Sequence, residues 1–73
     1  MLNDMDIALM ATRSYLRSMQ IDPRYATRKQ IAGAIDDIGR FAPDTMAARW
    51  YHNASEAQQK MFMRAFVKWQ REA

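Results

Sequence analysis

Seventy-three residues allow one domain with a thin core, because a chain this short buries a smaller share of its surface than a larger protein does. Cysteine is absent, which excludes disulfide frameworks, thiolate metal sites and cysteine nucleophiles, and favours an intracellular setting. The net charge of +3, from 11 Lys and Arg against 8 Asp and Glu, permits a nucleic-acid or acidic-protein partner without demanding one.

Apolar residues make up 49% of the chain, and its aromatics run from Tyr15 to Trp69, the composition of a globular domain. Two glycines and two prolines leave little punctuation for strands and hairpins. No apolar run approaches the roughly 20 residues that span a bilayer. The opening "MLNDMDIALMATRS" places acids ahead of its apolar stretch, unlike a signal peptide. The expected location is cytoplasmic, without a membrane partner.

The first predicted helix covers about residues 3–20. Leu2, Met5, Leu9, Thr12, Leu16 and Met19 recur at steps of three and four, and Ala8 and Tyr15 widen the stripe. Asn3 or Asp4 can cap it, Asp4 and Asp6 suit its positive end, and "IDP" stops it, since the residue before Pro23 is pushed out of helical space. Thr27 opens a second helix with Gln30 as capping-box partner, and Ile31, Ala34, Ile35 and Ile38 form its apolar edge. Gly39 is its expected left-handed terminator. In "RFAPD", Pro43 suits a first helical turn, and "DTMAARWY" reads as a short third helix ending in "HN". Ser55 and Gln58 form another capping box, starting a last helix that runs from about Glu56 to about Arg71. No strand signal or repeat occurs. The expected fold is all-α, a small bundle of three to four short helices forming a single domain over residues 1–73.

The last helix, "EAQQKMFMRAFVKWQR", opposes rings to cations. Gln58, Ala65, Phe66 and Trp69 fall on the side of Phe62, whereas Lys60, Arg64, Lys68 and Arg71 fall on the far side. Phe62, Phe66 and Trp69 are therefore core candidates. Met63 and Val67 lie beside the cations, as the apolar residues this core can least easily absorb. The plain explanation of the basic stripe is a solvated face. The functional one is a docking face, with Met63 and Val67 at its rim favouring a protein partner over bare phosphate.

The second predicted helix sets Arg28 and Lys29 at its positive end and Asp36 and Asp37 near its negative end, against its dipole. An Asp36–Arg40 pair at i,i+4 would offset part of that cost. Arg24, Arg28 and Lys29 could meet an anion or an acidic partner. Eight of the eleven cations are Arg, the better match to carboxylates and phosphates. In "RWYHN", Arg49, Trp50 and Tyr51 are the residue types that anchor interfaces, and stacked aromatics with Arg also suit single-stranded nucleic acid. In so small a core Trp50 is expected to be buried, leaving Tyr51 and His52 exposed.

His52 is the sole histidine and has no His or Cys partner for a metal. Ser14, Ser18 and Ser55 lack the strained nucleophile turn of a hydrolase, and no Gly-rich loop cradles a phosphate. A non-enzymatic protein without cofactor, metal or small-molecule ligand is expected. Residues 28–52 have roughly the length of a helix-turn-helix. Its joint "GRFAP" reads longer than the usual three or four residues, and Asp44 would repel phosphate.

In length, lack of cysteine, and helical character with basic and aromatic faces, the chain resembles small phage-encoded transcription regulators that bind bacterial RNA polymerase, of the Xanthomonas phage type. The resemblance spans the chain's size and character and carries over no functional residue. It implies docking on host RNA polymerase, inhibition of initiation by disturbing the promoter-specificity subunit, and antitermination during elongation, with a possible contact to nascent RNA. Anti-CRISPR inhibitor proteins share the same character.

Overall fold

A computed structural model describes residues 2–72, so the two outermost positions of the expected domain lie outside the described residues. The fold is all-α. Helices α1 (Asp4–Ser18), α2 (Arg28–Phe41), α3 (Met46–Asn53) and α4 (Glu56–Arg71) follow one another, and no strand occurs among the described residues. Every N-terminus is capped by the residue type that can accept from free backbone N–H groups. Asn3, Thr27 and Ser55 each form a reciprocal capping box, with Asp6, Gln30 and Gln58 respectively. Thr45 caps α3 by accepting the Ala48 N–H.

The ends of α1 and α2 differ from expectation, whereas α3 ends in "HN" and α4 at Arg71 as expected. Helix α1 stops at Ser18, before the "IDP" stretch. Gln20 adopts φ 62, its N–H donates to the Arg17 carbonyl, and the Ile21 N–H reaches back to the Leu16 carbonyl at 2.9 Å. That is a Schellman closure with a glutamine where glycine would be least strained. Helix α2 runs through Gly39 to Phe41, and no glycine among the described residues has positive φ. Its terminator is the residue before Pro43. Ala42 leaves helical space with φ −136, as proline's ring demands of its predecessor. Pro43 thus lies in the turn before α3, outside its first helical turn. Asp36 and Arg40 form no ion pair.

Helix α1 is the central element and packs against the other three. Ala8 on α1 and Ala47 and Ala48 on α3 are buried, and their small side chains let these two helices approach closely. Leu9 and Leu16 of α1 meet Ile31, Ala34, Ile35 and Ile38 of α2 and Phe62 and Phe66 of α4 in one core cluster. Thr12 is fully buried, and its hydroxyl donates to the Ala8 carbonyl at 2.8 Å, so no polar group is stranded there. The ends of the predicted α1 stripe stay wet, with Leu2 58% and Met19 48% exposed. Across the α1–α2 contact the Tyr15 hydroxyl donates to Asp37 at 3.1 Å. This bond uses one of the carboxylates set against the α2 dipole.

Candidate functional site

The orientation of α4 follows from its aromatics. Phe62 and Phe66 are fully buried, one turn apart. Tyr51 meets Phe62 edge-on at 5.3 Å between centroids, Trp50 lies 5.9 Å from Phe62, and Trp69 meets Phe66 edge-on at 5.7 Å. These offset geometries are the ones that ring quadrupoles favour. With that edge pinned inward, the opposite edge of α4, carrying its cations, faces solvent.

Trp69 is half-buried between two arginines. The Arg13 guanidinium of α1 lies 4.0 Å from its ring centroid and that of Arg24 lies 3.9 Å from it. Arg13 also lies 5.9 Å from the Phe66 ring. Burial, with Arg17 and Arg24 nearby, lowers the Arg13 pKa from its ordinary value, and its buried Nε has no hydrogen-bond partner among the described residues. The ring faces are its compensation.

The loop between α1 and α2 is fastened to the end of α4. The Arg24 guanidinium donates to the carbonyls of Trp69 and Glu72, supplying cationic donors at a helix C-terminus. Gln70 donates both amide N–H groups, to the Pro23 and Ala26 carbonyls, each at 2.9 Å. These bonds set the start of α2 beside the end of α4. Arg28 then lies across a groove from Arg64, Lys68 and Arg71. Val67 and Glu72 also line this groove, which has a volume of about 370 Å³.

One cation of the α2 start, Arg28, and three of the α4 edge, Arg64, Lys68 and Arg71, therefore share one site although they are far apart in sequence. Arg64, Lys68 and Arg71 extend over about 10 Å of α4, at roughly 1.5 Å per residue. None of the four cations is ion-paired among the described residues; the sole pair found there is Lys60–Glu56 at 3.9 Å. Cations gathered this closely lie within about one Debye length of one another, so they act as one positive patch. Val67 is half-buried and lies outside the core cluster.

The remaining predicted contact residues are placed elsewhere. Arg24 is engaged with α4, and Lys29 is exposed beside Arg28 without lining the groove. Lys60 pairs with Glu56, an acid one turn before it. Met63, expected to be hard to absorb, packs against the core, as does Tyr51, expected to be exposed. Burial and the nearby Asp36 charge raise the Tyr51 pKa. Trp50 is only half-buried, and with Arg49 and Met46 it lines a separate depression of about 350 Å³.

Gln70 and Arg13, which fix the groove's frame, were missed in the sequence because neither stands in a motif. Their positions mattered only once α4 was laid against α1 and the loop. Among the described residues no three His, Asp or Glu side chains gather as metal ligands, and no helix is long and apolar enough to cross a membrane. Compared with known proteins, the chain matches no family model, no curated protein and no solved structure.

Proposed function

We propose that this chain is a non-catalytic regulator that works by docking on a large protein partner through the Arg28–Arg64–Lys68–Arg71 groove. The observation that carries this reading is the convergence, in one groove with Val67, of four cations from two helices, none of them ion-paired among the described residues. Patches of one sign steer association and supply charge-assisted bonds to carboxylates. The partner we propose is bacterial RNA polymerase, with inhibition of initiation and antitermination as the outcome. That identity rests on the resemblance to phage transcription regulators, and the docking chemistry rests on the groove.

The test is affinity capture from bacterial lysate with and without nuclease, using the wild type and an Arg64→Glu/Lys68→Glu variant. The reading expects RNA polymerase subunits to survive nuclease on the wild type and to be lost from the variant. Retention on both proteins would show the basic face to be a solvated one. Losing a desolvated charged contact should weaken capture by about 2–5 kcal/mol, whereas a rim charge would chiefly slow association.

One observation supports a second reading, a DNA-binding helix-turn-helix over α2 and α3. Because α2 reaches Phe41, the joint to α3 is four residues, within the range of that motif. Arg49, the sole lysine or arginine of α3, lies outside the groove. A duplex shift assay with Arg49→Ala as control decides this point, and no shift at moderate salt removes the DNA reading.

A further inference from the structure

We infer that the groove between the start of α2 and the end of α4 takes an acidic peptide segment with one large aliphatic side chain flanked on both sides by carboxylates. This deepens the docking reading above and rests on it. The groove is lined by four cations, the apolar Val67 and one acid, Glu72. Arg28 stands on one side, Arg64, Lys68 and Arg71 on the other, and Val67 is in the lining. Val67 is held there because Phe62 and Phe66 pin the opposite edge of α4, and the Gln70 and Arg24 bonds hold the α2 start in place.

The four cations and Val67 each select a feature of the occupant, and Glu72 confines its acids to the cationic part of the groove. A carboxylate on only one side of the anchor would leave either Arg28 or the α4 cations unmatched. Arginine forks favour planar, bidentate carboxylate or phosphate partners, and three of the four cations are Arg. A phosphodiester backbone could answer the charges but would leave Val67 covered by a polar chain. No aromatic side chain lines the groove to stack a base, which single-strand binders rely on. An aliphatic anchor between acids answers both features together. Three consecutive extended residues span about 10 Å, so a short segment suffices to reach from Arg64 to Arg71.

The probes are the peptides Glu-Glu-Leu-Glu-Glu and Glu-Glu-Ser-Glu-Glu and an oligouridylate, titrated into the nitrogen-labelled full chain and followed by NMR. Amide shifts of Arg28, Arg64, Val67 and Lys68 are the readout. The leucine peptide should bind about tenfold more tightly than the serine peptide, the worth of burying one aliphatic side chain in part. Val67→Ser should erase that preference, Arg64→Glu should weaken both peptides, and circular dichroism checks that both variants keep their helices.

Equal binding of the two peptides would overturn the anchor. Tighter binding of oligouridylate at these same amides would make the groove a phosphate-backbone site. Concentration-dependent shifts without any peptide would assign it to a second copy of this chain, and no shifts with any probe would leave it a solvated face. The docking reading fails separately. If capture of a protein partner from nuclease-treated lysate is abolished by Arg64→Glu/Lys68→Glu while the leucine peptide has no preference, docking stands and the anchor falls.

Discussion

Replacing Gln70 with methionine tests the frame of the groove without touching its lining. The side chain keeps its length and loses both donors. Two 2.9 Å bonds to the carbonyls of Pro23 and Ala26 disappear, and both of those residues are buried. Each bond contributes about 0.5–1.5 kcal/mol net, and a buried carbonyl left unpaired costs about 1–3 kcal/mol. The site is only partly buried, so water can recover some of that loss, and about 2 kcal/mol is the expected destabilisation. With a urea slope of about 1 kcal/mol per M for a chain this small, the midpoint should fall by about 2 M. The assay is equilibrium urea unfolding followed by helical circular dichroism. A loss below about 0.5 kcal/mol, the range of ordinary surface substitutions, would refute the claim that Gln70 fastens the loop. The same variant should weaken partner capture although every cation is retained, because the Arg24 bonds alone then hold the loop and Arg28 is fixed less firmly beside α4.

Gln20→Gly should stabilise the fold by about 0.5–1 kcal/mol, since a non-glycine side chain at φ 62 is strained; a thermal midpoint raised by a few degrees checks it. Phe66→Ala should cost about 3–5 kcal/mol, comparable with the whole stability of a domain of this size, and the near-ultraviolet dichroism of Trp69 reports the loss. Alkaline pH should destabilise the protein. Burial and the bond to Asp37 raise the Tyr15 phenol, and burial and Asp36 raise that of Tyr51, from an ordinary value of 10.0. A folded-state pKa raised in this way leaves the stability intact below pH 10 and removes it as pH rises through the raised values. Urea midpoints at about pH 8 and about pH 11 should therefore diverge in the wild type and converge in Tyr15→Phe/Tyr51→Phe.

The starts of α2 and α4 were legible in the sequence because capping is local chemistry, whereas α3 starts at Met46, later than the proline signal suggested. Thr27 with Gln30 and Ser55 with Gln58 name their own positions, and both boxes form. The ends of α1 and α2 were less legible because two signals competed at each. At α1 the Pro23 signal was preceded by a closure that runs through Gln20, a residue with no sequence mark for a left-handed turn. At α2 the glycine signal lost to the proline one, since a helical glycine costs only about 1 kcal/mol whereas proline constrains the residue before it. The basic edge of α4 was readable from its period, and its union with Arg28 was not. That union depends on bonds from Arg24 and Gln70 across more than forty residues of sequence. Met63 and Val67 illustrate the same limit. They are one turn apart with similar surroundings in sequence, yet one packs on the core and the other lines the groove.

Charge at position 28 sets stability against docking, and Arg28→Glu separates them. The first turn of α2 contains no acid, although an acid there would meet the positive end of the helix dipole. Exchanging the cation for a carboxylate should add about 0.3–1 kcal/mol from the dipole, and more from relief of the repulsion with Arg64, Lys68 and Arg71 across the groove. The urea midpoint should rise. Partner capture should fall at least about tenfold, because the one cation that α2 contributes to the groove has changed sign. A stability gain with unchanged capture would mean that the groove is a wet face whose charges oppose the dipole for no binding reason. A stability loss would mean that Arg28 makes a contact within the fold that outweighs the dipole. A gain in stability together with a loss of capture is what a surface kept for a partner requires, since a cation placed there only for folding would have been better replaced.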